Sequence, residues 1–157
     1  MKWVTRAHVH IDRVACPWLI KRFIDTEAEF LFVAKEHVNE IAKEEDAIPF
    51  DSPGVALGHH EEHCSFISFL KKYKLTDPAL WKLGELVDAA DTDNFKGHAY
   101  ASCLNALAHG FSMLFPDDLD NVEQQFVVYD ALYNYFRLNT HKEEKVKTRR
   151  KEAPKLF

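Results

Sequence analysis

The chain has 157 residues, 46% of them hydrophobic and 13% aromatic, which supports one globular domain with its own core. Its formal net charge of −5 excludes a general nucleic-acid footprint, and no apolar run nears the ~20 residues that a bilayer span requires. Three cysteines without close pairing, and an early-charged N-terminus without an apolar leader core, fit a reducing compartment, so a cytoplasmic protein is expected.

Residues 2–12 predict a strand. In His8-Val9-His10-Ile11-Asp12, Val9 and Ile11 alternate against His8, His10 and Asp12, so the strand would carry three potential ligands on one face. Pro17 suits the first position of a helix over 17–25, continued by Leu19 with Phe23 and Ile20 with Ile24. Strands are expected at 29–33 and 47–50, with a short helix at 37–43 between them. Asp51-Ser52-Pro53-Gly54 is a turn by composition.

The second half reads as helical. A helix over 65–73 is followed by one capped by Asp77 and opened by Pro78. The next, over 100–115, carries Leu104, Leu107, Ala108, Phe111 and Leu114 on one face. The last, over 117–139, carries Phe126, Tyr129, Tyr133 and Phe136. The fold class expected is α+β (or α/β), a single domain over 1–140 with a small N-terminal sheet packed against a helical C-terminal half. Residues 141–157 form a basic tail, from Lys142 to Lys155, expected to be solvated and frayed.

Histidine dominates the candidate chemistry. His8 and His10 share the first strand, while His59, His60 and His63 fall within five residues, and neutral imidazole is the commonest transition-metal ligand. His10 and His59 are the pair best placed to converge on a metal; the alternative for each is a satisfied polar residue. Asp91 falls where a helix should be ending, where the dipole disfavours a carboxylate, so either it or Asp93 caps a new element or a cation holds one of them. Asp130 lies on the aromatic face of the last helix and needs a partner, which Arg13 or a metal would supply. Cys16, beside a helix N-terminus at Pro17, is open to a reading as a reactive thiol, and Cys64 to one as a soft ligand. The chain has no Gly-rich phosphate loop, no G-x-S-x-G elbow and no H-E-x-x-H motif.

Several blocks resemble one known family. Trp3-Val4-Thr5-Arg6, the long run from His10-Ile11-Asp12-Arg13 to Pro17-Trp18-Leu19-Ile20, and Arg22-Phe23-Ile24-Asp25 resemble the C-terminal domain of ChrB-type chromate-resistance proteins. The resemblance continues at Phe50-Asp51, Pro53-Gly54-Val55, His59, Cys64-Ser65-Phe66, Asp77-Pro78-Ala79-Leu80, Ala90-Asp91-Thr92 and Tyr129-Asp130-Ala131-Leu132-Tyr133. Glu61 and Ile67 depart from it, standing where the family has a glycine and an acidic residue. In full-length relatives a DNA-binding region precedes this domain, and no direct DNA binding is expected of the present chain.

His10, His59, Asp91 and Asp130 all fall at matching positions. The resulting expectation is a metal site of two imidazoles and two carboxylates for a divalent Zn, Mn or Fe ion, with Asp12 or Arg13 orienting it. An open coordination position would permit metal-dependent hydrolysis or redox chemistry. The alternative is a sensor module holding chromate or sulfate on Arg6, Arg13 and the helix N-terminus at Pro17. A third reading makes the same polar residues a buried network that fixes the fold.

Overall fold

A computed structural model describes residues 1–60 and 63–152, the last ten by backbone alone; the Glu61 departure and the end of the basic tail lie outside the described residues. Three parallel strands, β1 (Lys2–Arg6), β2 (Glu29–Val33) and β3 (Ile48–Pro49), form a sheet in the order β2-β1-β3. Trp3 of β1 stands opposite Phe30 on one side and Ile48 on the other. Parallel neighbours need crossovers. The first is α1 (Asp12–Leu19), prolonged by a π-helical turn at Ile20–Ile24; the second is α2 (Val38–Glu44). Four further helices follow: α3 (Ser65–Lys72), α4 (Pro78–Asp91), α5 (Ala101–Leu114) and α6 (Asp118–Glu152). The architecture is α+β, as the sequence pattern predicts. No helix among the described residues is long and apolar enough to cross a membrane.

The core joins the two halves. Trp3, Trp18, Phe50, Phe66, Phe69 and Tyr129 are fully buried. Trp18 of α1 stacks on Phe66 of α3 at 6.5 Å and meets Tyr133 of α6 at 5.8 Å, so one indole touches three helices' worth of packing.

Two N-terminal expectations need correction. β1 stops at Arg6, because the chain reverses at His8 (φ +62°) and the carboxylate of Asp118 accepts the backbone N–H groups of both His8 and Val9 at 2.8 Å. His8, His10 and Asp12 therefore share no strand face: His8 is exposed, His10 is half-buried in the loop, and Asp12 opens α1. The helix also begins five residues before Pro17, which sits inside it. An interior proline costs about 3 kcal/mol. Full burial of Val14, Trp18 and Leu19, at roughly 1.5–3 kcal/mol each, outweighs that.

In the helical half, Asp77 does cap α4, accepting from the Ala79 N–H at 2.8 Å. α5 buries a narrower seam than its sequence suggests: Ala101, Leu104 and Ala108 are buried, while Leu107 and Leu114 are exposed. It packs mainly against α4 and α6, and its His109 and Ser112 also meet the loop after β1. α6 continues beyond 139 to Glu152; its 35 residues span about 52 Å.

One close approach fixes the loop after β3. Asp51 donates its backbone N–H to Leu57 at 3.0 Å, closing a tight excursion through Gly54 (φ +77°). A Cβ on Gly58 would stand 2.8 Å from the Ser52 carbonyl oxygen. The Gly58→Ala variant is expected to lose about 1–3 kcal/mol of stability through this backbone clash, measured by urea unfolding; an unchanged midpoint would show that the loop relaxes freely.

Candidate metal centre

In an open parallel sheet, ligands bind beyond the carboxyl ends of the strands, where successive crossovers leave in opposite directions. Here β1 lies between β2 and β3, so that point is the crevice past Arg6 of β1 and Pro49 of β3. The chain places Asp12 there from the first position of α1, and Asp51 and His59 from the loop after β3. Asp91 comes from the last position of α4.

Asp12 is buried, with side-chain exposure of 1%. Its two oxygens accept the backbone N–H groups of Ser65 and Phe66, the first residues of α3. A carboxylate at the N-terminus of α1 thus also caps α3, and both helix dipoles favour its negative charge. Asp51 is equally buried. Its Oδ2 takes hydrogen bonds from Arg6 Nη2 at 3.1 Å and Arg13 Nη1 at 2.9 Å, and its Oδ1 takes one from the Ser65 hydroxyl at 2.8 Å.

His59 Nε2 stands at the meeting point of three carboxylates. It lies 3.3 Å from Asp12 Oδ2, 3.2 Å from Asp51 Oδ1 and 3.3 Å from Asp91 Oδ2. Hydrogen bonding to Asp12, then to Asp51 and Asp91, pushes the imidazole's pKa up to about 12. Burial pushes Asp12 up to about 6, with His59 pulling the other way. Burial also acts to raise Asp51, but His59, Arg13, Ser65 and Arg6 together hold its carboxyl well below the usual range.

The charges divide unevenly. Asp51 has two guanidinium groups to itself. Asp12, beyond its two backbone N–H partners, shares with Asp91 a single charged neighbour, the His59 ring, and one N–H cannot serve all the oxygens that surround it. One ligand atom each from Asp12, His59 and Asp91 lies within 4.8 Å of the others. The ring is protonated without a metal; an ion that displaced its proton would meet two carboxylates and a neutral imidazole, −2 in all, the complement of a divalent ion. The donor set suits a hard or borderline metal.

The remaining predicted site residues fall into three groups. His10 is adjacent rather than inside: its Nε2 faces His109 Nδ1 at 3.4 Å, and burial, then His109, lowers its pKa against the pull of Asp91. Asp130 is held elsewhere. Its oxygens accept from Trp18 Nε1 at 2.8 Å and from Arg22 Nε and Nη2 at 3.0 and 2.8 Å, so its partner is Arg22 rather than Arg13 or His59. Arg6 and Arg13 both point into Asp51, and no helix begins at Pro17, so the groups expected to hold an oxyanion face a carboxylate.

The two cysteines also differ from expectation. Cys16 lies within α1, not at its start, and burial followed by the charge of Asp12 pushes its thiol well up. Cys64 precedes α3, where burial likewise raises its thiol while its backbone N–H donates to Asp88 at 2.6 Å. Both are favoured as thiols, not thiolates. Among the neighbouring histidines, His60 bonds the Ala56 carbonyl and pairs with His63 across a short bridge, away from the three carboxylates.

Asp51 and His109 escaped the sequence reading. Asp51 was legible only as a turn residue and as half of the Phe50-Asp51 block, and His109 is an isolated histidine on an otherwise apolar helix.

This is an α+β domain with a buried carboxylate–histidine cluster at the switch point of a parallel sheet. The family model described as ChrB, C-terminal domain, matches residues 3–136, and the chain belongs to that family. It is similar to Protein ChrB of Cupriavidus metallidurans, 35% identical over 136 residues covering 86% of this chain. The aligned region spans 40% of that relative's length. No solved structure matches.

The Arg22–Asp130 pair is half-exposed and so contributes modestly, about 0.5–1 kcal/mol after solvent screening. The Arg22 hydrogen bonds hold the Asp130 carboxyl below its usual range, against burial and with help from Trp18. A lowered folded-state value means that this stability is complete above the ordinary aspartate pKa near 3.9 and fades as pH falls through the folded value. Urea unfolding should therefore show Asp130→Asn destabilised at pH 7, with the gap from wild type closing as pH falls below the ordinary aspartate value. A gap that persists in acid would contradict the pairing.

Proposed function

We propose that this domain binds a divalent metal ion through Asp12, His59 and Asp91, and that this centre is its working part in chromate resistance. The single observation behind the reading is the convergence of three carboxylates on one imidazole nitrogen at 3.2–3.3 Å, where only one proton is available to share. Ser65 and Phe66 fix the orientation of Asp12, while Arg6, Arg13 and Ser65 fix Asp51 behind the ring. These are the supporting bonds that a metal site requires.

Three protein ligands leave coordination positions open. His59 is 45% exposed, so the positions open toward solvent. An ion held there would supply a Lewis acid for a bound water or an oxygen-rich ligand. The residues' own contribution is orientation and charge: Asp12 and Asp91 provide the negative field, and Arg6 lies beside it. The expected metals are Zn, Mn or Fe, because two carboxylates disfavour a thiolate-seeking ion.

A second reading keeps one observation in its favour. Arg6, Asp51, Ser52, Pro53 and His59 line an open pocket of about 230 Å³, large enough for a tetrahedral oxyanion such as chromate or sulfate. Under it, cationic Arg6 and His59 bind the anion without a metal.

Metal-stripped protein should be titrated with Mn(II) or Zn(II), following thermal unfolding and calorimetric heat. At 100 times the dissociation constant, a bound ion adds about 2.7 kcal/mol of stability. His59→Ala and Asp91→Asn are expected to abolish the shift, whereas Asp130→Asn should retain it. An unchanged melting temperature in wild type, with saturable heat on adding chromate or sulfate, would favour the oxyanion reading instead.

A further inference from the structure

The outer surface of α5 and α6 carries a pattern that no contact among the described residues accounts for. On α6 the exposed residues include Val127, Ala131, Asn134 and Leu138, spaced by four, three and four positions. Val127 is 68% exposed and Leu138 63%. That alternation is the seam of a coiled coil, a spacing that suits packing against another helix. α5 lies beside it, with the hydroxyls of Tyr100 and Tyr135 2.9 Å apart. Its exposed residues Cys103, Leu107, Gly110 and Leu114 repeat the spacing, and Leu114 is 73% exposed. Gly110 has no positive φ, and a Cβ there would meet nothing within 4 Å. A glycine inside a helix is unfavourable relative to alanine. Close approach by another helix gives it a purpose that the chain alone does not.

The charges identify the occupant. No Lys, Arg, Asp or Glu lies between Lys96 and Asp117, so α5 offers a neutral, apolar face in a chain of net charge −5. Copies that repel elsewhere do not repel here. On α6, Asp130 and Arg137 each stand one position before a seam residue, Ala131 and Leu138. Let two copies of α6 pair antiparallel about a two-fold axis passing between Leu132 and Tyr133. Val127 then packs on Leu138 of the other copy, and Ala131 on Asn134, with each contact made twice. The same register sets Asp130 of one copy against Arg137 of the other, again twice, and flanking charges of this kind set partner and orientation. A parallel pair would bring Arg137 against Lys142 instead, like against like.

We propose that the domain forms a two-fold dimer with a second copy of itself through the outer face of α5 and α6, the two α6 helices running antiparallel. Asp130 keeps its Arg22 partner and gains a second cation. The interface does not depend on the metal reading, and its test contains no metal.

Sedimentation velocity of the intact chain across the micromolar range reads the mass. Wild type is expected to sediment as two chains. Leu138→Glu puts a charge into the seam, and Arg137→Glu faces Asp130 with a like charge, so both are expected to sediment as one. Both side chains are exposed, and circular dichroism should show both variants folded. Oxidative cross-linking in a Cys103→Ser background reads the register. Val127→Cys together with Leu138→Cys should give a covalent dimer, and Val127→Cys alone should not. Within one chain these two positions lie about 16 Å apart along α6, beyond the reach of a disulfide. A monomer at every concentration overturns the proposal and leaves the face to a different protein. A dimer unmoved by both charged variants overturns this face as the interface. A cross-link formed by Val127→Cys alone overturns the antiparallel register.

Discussion

A buried carboxylate joins the two halves of this domain. Asp12 begins α1, and its oxygens accept the first two backbone N–H groups of α3, so one side chain aligns a helix of the sheet half with a helix of the helical half. Removing a charge from water costs several kcal/mol. Two helix N-termini offset that cost, and His59 offsets more. The position of the candidate centre follows from this. A carboxylate placed to hold helices together in a dry interior requires positive charge beside it, and the crevice past β1 and β3 is where the fold can deliver one.

Asp51 solves the same problem differently. Two guanidinium groups and a hydroxyl satisfy it completely, which makes it a clamp between β1, α1 and α3. That commitment shapes both functional readings. Arg6 and Arg13 cannot serve an incoming anion fully without releasing Asp51, whereas Asp12 and Asp91 have a single charged partner between them, the His59 ring, so a cation would add to their charge balance. The asymmetry between these carboxylates is the physical reason for ranking metal binding above oxyanion binding.

Much of the fold was legible because it is written in local periodicity. β2, α2, α3 and the Asp77-capped start of α4 fall where apolar spacing and capping residues place them. The stretch around His8–Pro17 was not, because two long-range effects override its local signals. A carboxylate 109 to 110 residues away turns the chain at His8 and Val9, and core burial carries α1 through a proline. The alternation of His8, His10 and Asp12 therefore has no strand to express it. Asp130 illustrates the same limit, since its need for a partner was readable but the identity of Arg22 depends on a π-helical turn that no spacing announces. For the site, His59 and Asp91 stood out as residues with a chemical problem to solve. Asp12 is readable as a potential ligand on a strand or as an orienting residue, and Asp51 only as a turn residue, because their importance comes from what packs around them.

β3 is only two residues long and ends in Pro49. The next residue, Phe50, donates its N–H inward to Val4 of β1, so by strand alternation the nitrogen of Pro49 faces the outer edge. A proline nitrogen has no hydrogen to give, and its ring occupies the place where a docking strand would seek one. The sheet is therefore sealed on the side next to the candidate centre. An aggregating or swapped fourth strand would have to add along β2 instead, where Phe30 and Phe32 already lean on the core and leave less apolar surface to attract it.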